Sequence, residues 1–421
     1  MIKKYNLKLF VSFVVFFTTF FCSCSVSKKG VSVVMSVENN SDAVFVHSKS
    51  KTLKLGNERM DIYLPVLKDA DIALVVNHSS LINQTHLLDT LIARGIQVKK
   101  IFALEHGYRG TASNGEEVNS SVDPLTGIPI VSLYGKDKKP SAKHLKGIDI
   151  VLFDIQDVGL RFYTYISSMH YIMEACGEQK KKFMVLDRPN PNGHYFDGPI
   201  LEKSFSSFIG MHQIPVVHGL TVGELAWMIN EKEWTASKCD LFIVPCENYN
   251  HSDVYELPVR PSPNLPNMRS VYLYPSLCFF EGTQISVGRG TDFPFQRYGH
   301  PLLEFENDSF IPTPNEGSKY PKLEGETCFG QSYYKENALN FRKDYLDLES
   351  ILDVYHRYPE KKKFFLDNGF FNLLAGTDKL MNQIEDSCSF EEIQLSWKKD
   401  LKNYSMLRDE FLIYPDFIYR N

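Results

Sequence analysis

The sequence predicts an α/β protein: a Rossmann-like, mostly parallel sheet domain followed by a smaller C-terminal α/β domain. Three observations carry that expectation. From about residue 70, short runs rich in Val, Ile, Leu and Phe alternate with segments of helical spacing. The runs are apolar throughout rather than on every second residue, as strands covered on both faces require. Four prolines in "LPVRPSPNLPNM" (257–268) then interrupt the alternation, which sets the expected domains at 48–265 and 266–421. At 43% hydrophobic and 23% charged residues over 421 positions, the composition is that of a folded chain with room for two such units.

The elements follow in order. "DIALVVNHS" (71–79) reads as a buried strand ending in polar residues, and "THLLDTLIARG" as a helix stopped at Gly95. "QVKKIFALEHG" and "IPIVSLYG" are the second and third strands, and "SAKHLKG" is a short helix with Ser141 at its N-cap. "IDIVLFDIQDVG" (148–159) is the fourth strand and leads into the aromatic helix "FYTYISSMHYIMEACG". "KKFMVLDRPNPNG", "TVGELAWMINEKE" and "CDLFIVPC" add a strand, a helix and a strand. Beyond the prolines, "GTDKLMNQIEDSCSFEEIQLSWKKDLKNYSMLRDEFLIY" is helical, and "GRGTDFPFQRYG" (288–299) reads as loop.

The N-terminus is of another kind. "MIKKYNLK" is a positive n-region, and "LFVSFVVFFTTFF" is an apolar stretch too short to span a bilayer comfortably but suited to a secretory signal. The closing "FCSCS" resembles a bacterial lipobox, which makes 1–23 a signal peptide and Cys24 the lipidated first residue. The polar, Ser-rich stretch 24–47 reads as a flexible tether. The expected product is an exported lipoprotein held at a membrane through Cys24 and facing the periplasm. The other cysteines have no metal-ligand spacing, so no metal is expected, and their pairing stays open.

In an open parallel sheet, ligands bind beyond the carboxyl ends of the strands. The first strand brings Asn77 and His78 there, the second Glu105 and His106, the fourth Asp154 and Asp157, and the fifth Arg188 and Asn190. No glycine stands at the first strand–helix junction and no GxxxxGK occurs, so neither a dinucleotide nor a nucleotide phosphate is expected, and no cofactor. A net charge of −5 without a basic stripe argues against nucleic acid. What remains suits glycoside chemistry, in which one carboxyl group protonates the leaving oxygen and a second group serves the oxocarbenium-like centre. Glu105, closing an apolar strand where desolvation favours a neutral carboxyl, is the candidate proton donor. Asp157 or Asp154 is the candidate partner, with Tyr163 of "RFYTY" lending a hydroxyl. Arg109, Arg161, Arg188 and Arg289 offer forks for a substrate carboxylate.

These residues sit in stretches that resemble the exo-acting β-N-acetylmuramidases of peptidoglycan recycling (glycoside hydrolase family 171). The matching stretches include "EHGYRG", "KPSAKHLKGIDIVLFDIQDVGLRFYTYISSM", "VLDRPNPNG", "PVVHGLTVGELA", "SPNLPN" and "YPSLCFFEGTQISVGRGTDFPF". They run in order over nearly the whole chain after the tether. The resemblance implies release of N-acetylmuramic acid from the non-reducing end of peptidoglycan fragments, at a cleft between the two domains. It places the catalytic acid on Glu105, and it assigns no role to Asp157, Arg161 or Tyr163. Ser276 and Leu277 depart from the family's Tyr-Pro-Gly, while Glu281, expected at the substrate, is retained. The target sugar carries a lactyl carboxylate, so at least one of Arg109, Arg161, Arg188 and Arg289 is expected to read it. Two other readings use the same residues: a non-catalytic peptidoglycan- or sugar-binding lipoprotein, and a hydrolase of another amino sugar.

Overall fold

A computed structural model describes residues 26–28, 31–33, 52–105, 107–108, 120–135, 137–304 and 306–417. Cys24, His106 and Arg109 lie outside them, as does most of the signal and tether segment. Within that segment, β1 (Val26–Lys28) and β2 (Val31–Val33) form a short antiparallel pair.

The first unit then runs α1 (Met60–Leu67), β3 (Asp71–Val76), the small hairpin β4 (Leu81–Ile82) and β5 (Thr85–His86), α2 (Leu87–Ala93) and β6 (Gln97–Ala103). It continues through β7 (Ser121–Val122), β8 (Pro129–Ser132), α3 (Ala142–Leu145), β9 (Ile150–Asp154) and α4 (Tyr165–Glu178). β10 (Lys182–Leu186), α5 (Val222–Glu231) and β11 (Asp240–Val244) complete it. The six long strands lie parallel in the order β8-β6-β3-β9-β10-β11. By rank in the chain that is 3-2-1-4-5-6, the doubly wound order. β7 adds antiparallel beside β8, and β2 adds parallel to β11.

Residue alternation in the strands explains why these runs are apolar throughout. Ala73, Val75, Val151, Phe153, Phe183 and Val185 enter one core with Ile166 and Met169 of α4 and Leu225 and Ile229 of α5. Ile72, Leu74, Val76, Leu152, Met184 and Leu186 enter another with Tyr63 and Leu67 of α1 and Leu88 and Leu91 of α2. β3, β9 and β10 therefore bury both faces, and neither of their faces can be polar.

The second unit begins with α6 (Met268–Leu277), which carries Pro275, and a single 3₁₀ turn over Cys278–Gly282. A small antiparallel sheet follows, with β14 (Cys328–Ser332) between β12 (Arg297–His300) and β13 (Asp308–Phe310). β12 takes up the end of the stretch read from sequence as loop, because Arg297, Tyr298, Gly299 and His300 pair with β14 without forming an apolar run of their own. The chain closes with α7 (Glu349–Arg357), α8 (Phe370–Ala375), α9 (Lys379–Glu385) and α10 (Phe390–Asp409). Val271, Phe279, Phe280, Ile351 and Trp397 join the core on the α4/α5 side of the sheet. The two units thus share one apolar interior.

Candidate active site

A cavity opens where the two units meet. Its floor begins at the carboxyl end of β6, where Leu104 is fully buried and Glu105 follows as a half-buried residue. Gly107 has φ +74° and donates its N–H to the Leu104 carbonyl at 2.9 Å. That left-handed turn, open to glycine at no steric cost, ends the strand so that Glu105 stands on the cavity wall. Both of its carboxylate oxygens accept hydroxyls: Tyr134 Oη at 2.9 Å on Oε1 and Thr164 Oγ1 at 2.6 Å on Oε2. A carboxylate oxygen has two lone-pair sites, so each keeps one for a proton or a substrate.

Thr164 is the N-cap residue of α4, and the preceding Phe162 and Tyr163 form the adjacent wall. The chain reaches this point through Gly159, at φ +81°, where a Cβ would stand 2.3 Å from Asn190 Oδ1. Across the cavity the second unit supplies Tyr274 of α6, Cys278 and Glu281 of the 3₁₀ turn, then Arg289 and Phe295. Arg289 Nε donates to Glu281 Oε2 at 3.0 Å, and its guanidinium lies over the Phe295 ring at 4.9 Å. Its Nη1 is buried with no hydrogen-bond partner among the described residues, a status that Arg188 Nη2 shares away from the cavity.

Of the residues picked out in the sequence, the cavity brings together Glu105, Tyr163, Glu281 and Arg289. The Tyr163 hydroxyl, however, donates to the Pro261 carbonyl at 2.9 Å. Burial, with the neighbouring Tyr165, raises its pKa well above the usual phenol value. Its proton is committed to the backbone, and the neutral ring and hydroxyl oxygen form part of the cavity wall.

The other strand-end residues are turned inward, and the physical reason is the same in each case: a buried polar group takes an internal partner. Asp157, the expected second catalytic group, accepts the Gly159 N–H at 2.7 Å through Oδ2, which also lies 3.6 Å from His218 Nε2, and it does not line the cavity. Asp154 accepts Asn57 at 3.0 Å and Arg188 Nε at 2.6 Å, so Arg188 is one half of a buried ion pair and not a substrate fork. Arg161 is fully buried and donates to four backbone carbonyls, of Pro199, Ile214, Leu374 and Ala375. Asn190 donates to the Leu220 carbonyl and accepts the Asn192 N–H. Asn77 donates to Tyr165 Oη and accepts from Ser79, while His78 Nε2 pairs with the Arg260 carbonyl at 2.7 Å. None of these seven side chains lines the cavity.

Sequence reasoning missed Tyr134, Thr164 and Tyr274. Tyr134 had a readable signal, since it stands just past the third strand, at the same carboxyl edge as Glu105. Thr164 and Tyr274 had none, because their place depends on how α4 and α6 face each other.

Residues 72–269 and 272–414 match the profiles of exo-beta-N-acetylmuramidase NamZ, N-terminal and C-terminal parts. The chain belongs to the exo-β-N-acetylmuramidase family. Within it, the peptidoglycan beta-N-acetylmuramidase NamZ of Bacillus subtilis (strain 168) is 41% identical over 341 residues, 76% of this chain and 80% of that protein. Two solved structures share the fold, both DUF1343 family proteins of Bacteroides fragilis NCTC 9343. One is 43% identical with a TM-score of 0.81, covering 87% of this chain and 100% of its own. The other is 27% identical with a TM-score of 0.75, covering 86% and 99%. The mostly parallel α/β sheet with a C-terminal unit is therefore the architecture of the exo-β-N-acetylmuramidase family as well as of this chain.

Proposed function

We propose that this chain releases N-acetylmuramic acid from the non-reducing end of peptidoglycan fragments, with Glu105 as proton donor and Arg289 as reader of the lactyl carboxylate. Glu105 protonates the glycosidic oxygen as its bond to the anomeric carbon breaks, and water completes the hydrolysis. The hydroxyls of Tyr134 and Thr164 hold the carboxyl in place for that transfer. Glu281 holds the Arg289 Nε and so orients the fork.

One observation carries the reading. The cavity that presents Glu105 also presents Arg289, whose Nη1 is buried without an acceptor among the described residues. An unsatisfied buried donor costs about 1–3 kcal/mol, and a substrate carboxylate would remove that cost. The sugar of this family differs from N-acetylglucosamine in bearing such a group.

The test is discrimination. Arg289→Lys keeps the charge but loses the fork. We expect kcat/KM on a chromogenic β-N-acetylmuramide to fall about 10- to 100-fold, the worth of a charge-assisted hydrogen bond of ~1.5–3 kcal/mol. The rate on the matching N-acetylglucosaminide should stay as it is. Unchanged preference would remove Arg289 from the role. A wild type that prefers the glucosaminide would make this a hydrolase of another amino sugar, and one that binds the sugar without releasing it would make it a binding lipoprotein.

The same proposal holds the enzyme at a membrane, facing the periplasm beside its polymer, through a lipid on Cys24. What supports it is the positive n-region, the apolar stretch and "FCSCS". Cys24→Ala should move the protein from the membrane fraction to the soluble fraction. Retention in the membrane would end the lipid reading.

A further inference from the structure

Behind the cavity wall lies a lysine that the reaction itself does not use. Lys322 extends from the segment between β13 and β14 to the inner side of the Cys278–Gly282 turn. Its Nζ stands 3.1 Å from the Phe280 carbonyl, 3.4 Å from that of Glu281, 2.5 Å from that of Thr283 and 3.1 Å from that of Ile285. Among the described residues no carboxylate pairs with it; its partners there are four peptide oxygens within six consecutive residues. Those six residues include Glu281 and lead directly to Arg289.

We infer that Lys322 is a positioning residue for the anion-reading arm, acting through the backbone that carries Glu281. This deepens the proposed function and rests on its reading of Arg289. The argument is geometric. Four carbonyl dipoles converging on one point repel one another unless a cation sits there, and an ammonium offers three N–H donors to them. With the cation in place the turn is held closed, Glu281 keeps its hydrogen bond to Arg289 Nε, and the guanidinium keeps its aim. Without it the four oxygens separate, the turn opens, and Glu281 and Arg289 move together. Lys322 does not line the cavity, so its effect reaches the substrate only through this arm.

The clamp is built to respond to pH. Burial lowers the Lys322 pKa to about 8; the nearby Glu281 works against that and Arg289 with it. His300, on β12, is the further titrating group that senses Lys322. Deprotonation leaves two donors and a lone pair facing four acceptors. Binding of the lactyl-bearing sugar should therefore weaken as pH rises through 8, while the sugar without a carboxylate is indifferent to the change.

The experiment uses the full chain with Lys322→Met and Arg289→Lys, assayed on β-N-acetylmuramide and β-N-acetylglucosaminide from pH 6 to 9. For Lys322→Met we expect the muramide KM to rise at least tenfold with kcat within threefold of wild type. The glucosaminide constants should be unchanged, and the alkaline rise in muramide KM seen in wild type should be gone. An equal loss on both sugars, or on neither, would overturn the inference, since a merely structural lysine has no reason to act on one sugar. If Lys322→Met does not fold, the wild-type profile alone decides: a muramide KM flat from pH 7 to 9 overturns the inference, and a rise absent for the glucosaminide supports it. The Arg289→Lys arm separates the two ideas. Discrimination that survives in Arg289→Lys defeats the proposed reading itself. Discrimination lost in Arg289→Lys but intact in Lys322→Met defeats only the clamp.

Discussion

Glu105→Gln is expected to lower turnover of a chromogenic β-N-acetylmuramide by about 10²- to 10⁴-fold, the contribution typical of a positioned general acid. Binding of the released sugar should persist, because glutamine keeps the shape: its amide oxygen accepts from one of Tyr134 and Thr164, and its NH2 donates to the hydroxyl oxygen of the other. What it cannot do is supply a proton to the leaving oxygen. The magnitude also depends on the leaving group: a good one such as a nitrophenol needs little protonation. The loss should therefore be larger on a glycan fragment than on the chromogenic sugar, and that ordering distinguishes a missing acid from a disturbed fold. Turnover within about threefold of wild type on both substrates, below the range for general acid catalysis, would move the acid elsewhere. Glu281 is then next in line, as the other carboxylate on the cavity wall. Asp157 is not, since it does not line the cavity.

Arg161→Met is expected to act on stability instead. The guanidinium bridges the first unit, through the Pro199 and Ile214 carbonyls, to α8 of the second, through those of Leu374 and Ala375. Methionine fills similar volume but takes the donor from the Pro199, Leu374 and Ala375 carbonyls in a site with no solvent exposure, while that of Ile214 keeps the Leu201 N–H at 3.2 Å. At about 1–3 kcal/mol for each unsatisfied buried group, a loss of about 3 kcal/mol or more in urea unfolding should follow. Lysine should not rescue it, since a single ammonium cannot span acceptors on two sides of a plane as the planar fork does. A variant with wild-type unfolding but altered preference between the two sugars would return Arg161 to the substrate.

The two variants mark the limits of reading from sequence. Arg161 and Arg289 look alike there: each follows a glycine by one or two residues, and each stands near aromatic side chains. One proves to be a structural tie and the other a cavity residue. The partners that decide this for Arg161 lie up to 214 positions away, at Ala375. The strand-end rule was sound about direction, since Glu105 does stand at the end of β6. It overcounted because the crevice between β3 and β9, where the strand order reverses, is filled by the chain's own network of Asn57, Ser80, Asp154 and Arg188. A sequence displays which residues carry polar groups, but not which of those groups find each other.

From sequence alone came the parallel sheet, the order of its strands along the chain, the place of Glu105 and the family. These depend on local matters: which runs are apolar on both faces, where a strand stops, and which short motifs recur in order. The tertiary structure alone decided the rest. It joined Glu105 to the hydroxyls of Tyr134 and Thr164, set Arg289 rather than Arg161 or Arg188 on the cavity wall, and placed Lys322 beneath Glu281. Each of those outcomes is a competition among buried polar groups for a limited number of partners, and distance in space, not along the chain, settles it.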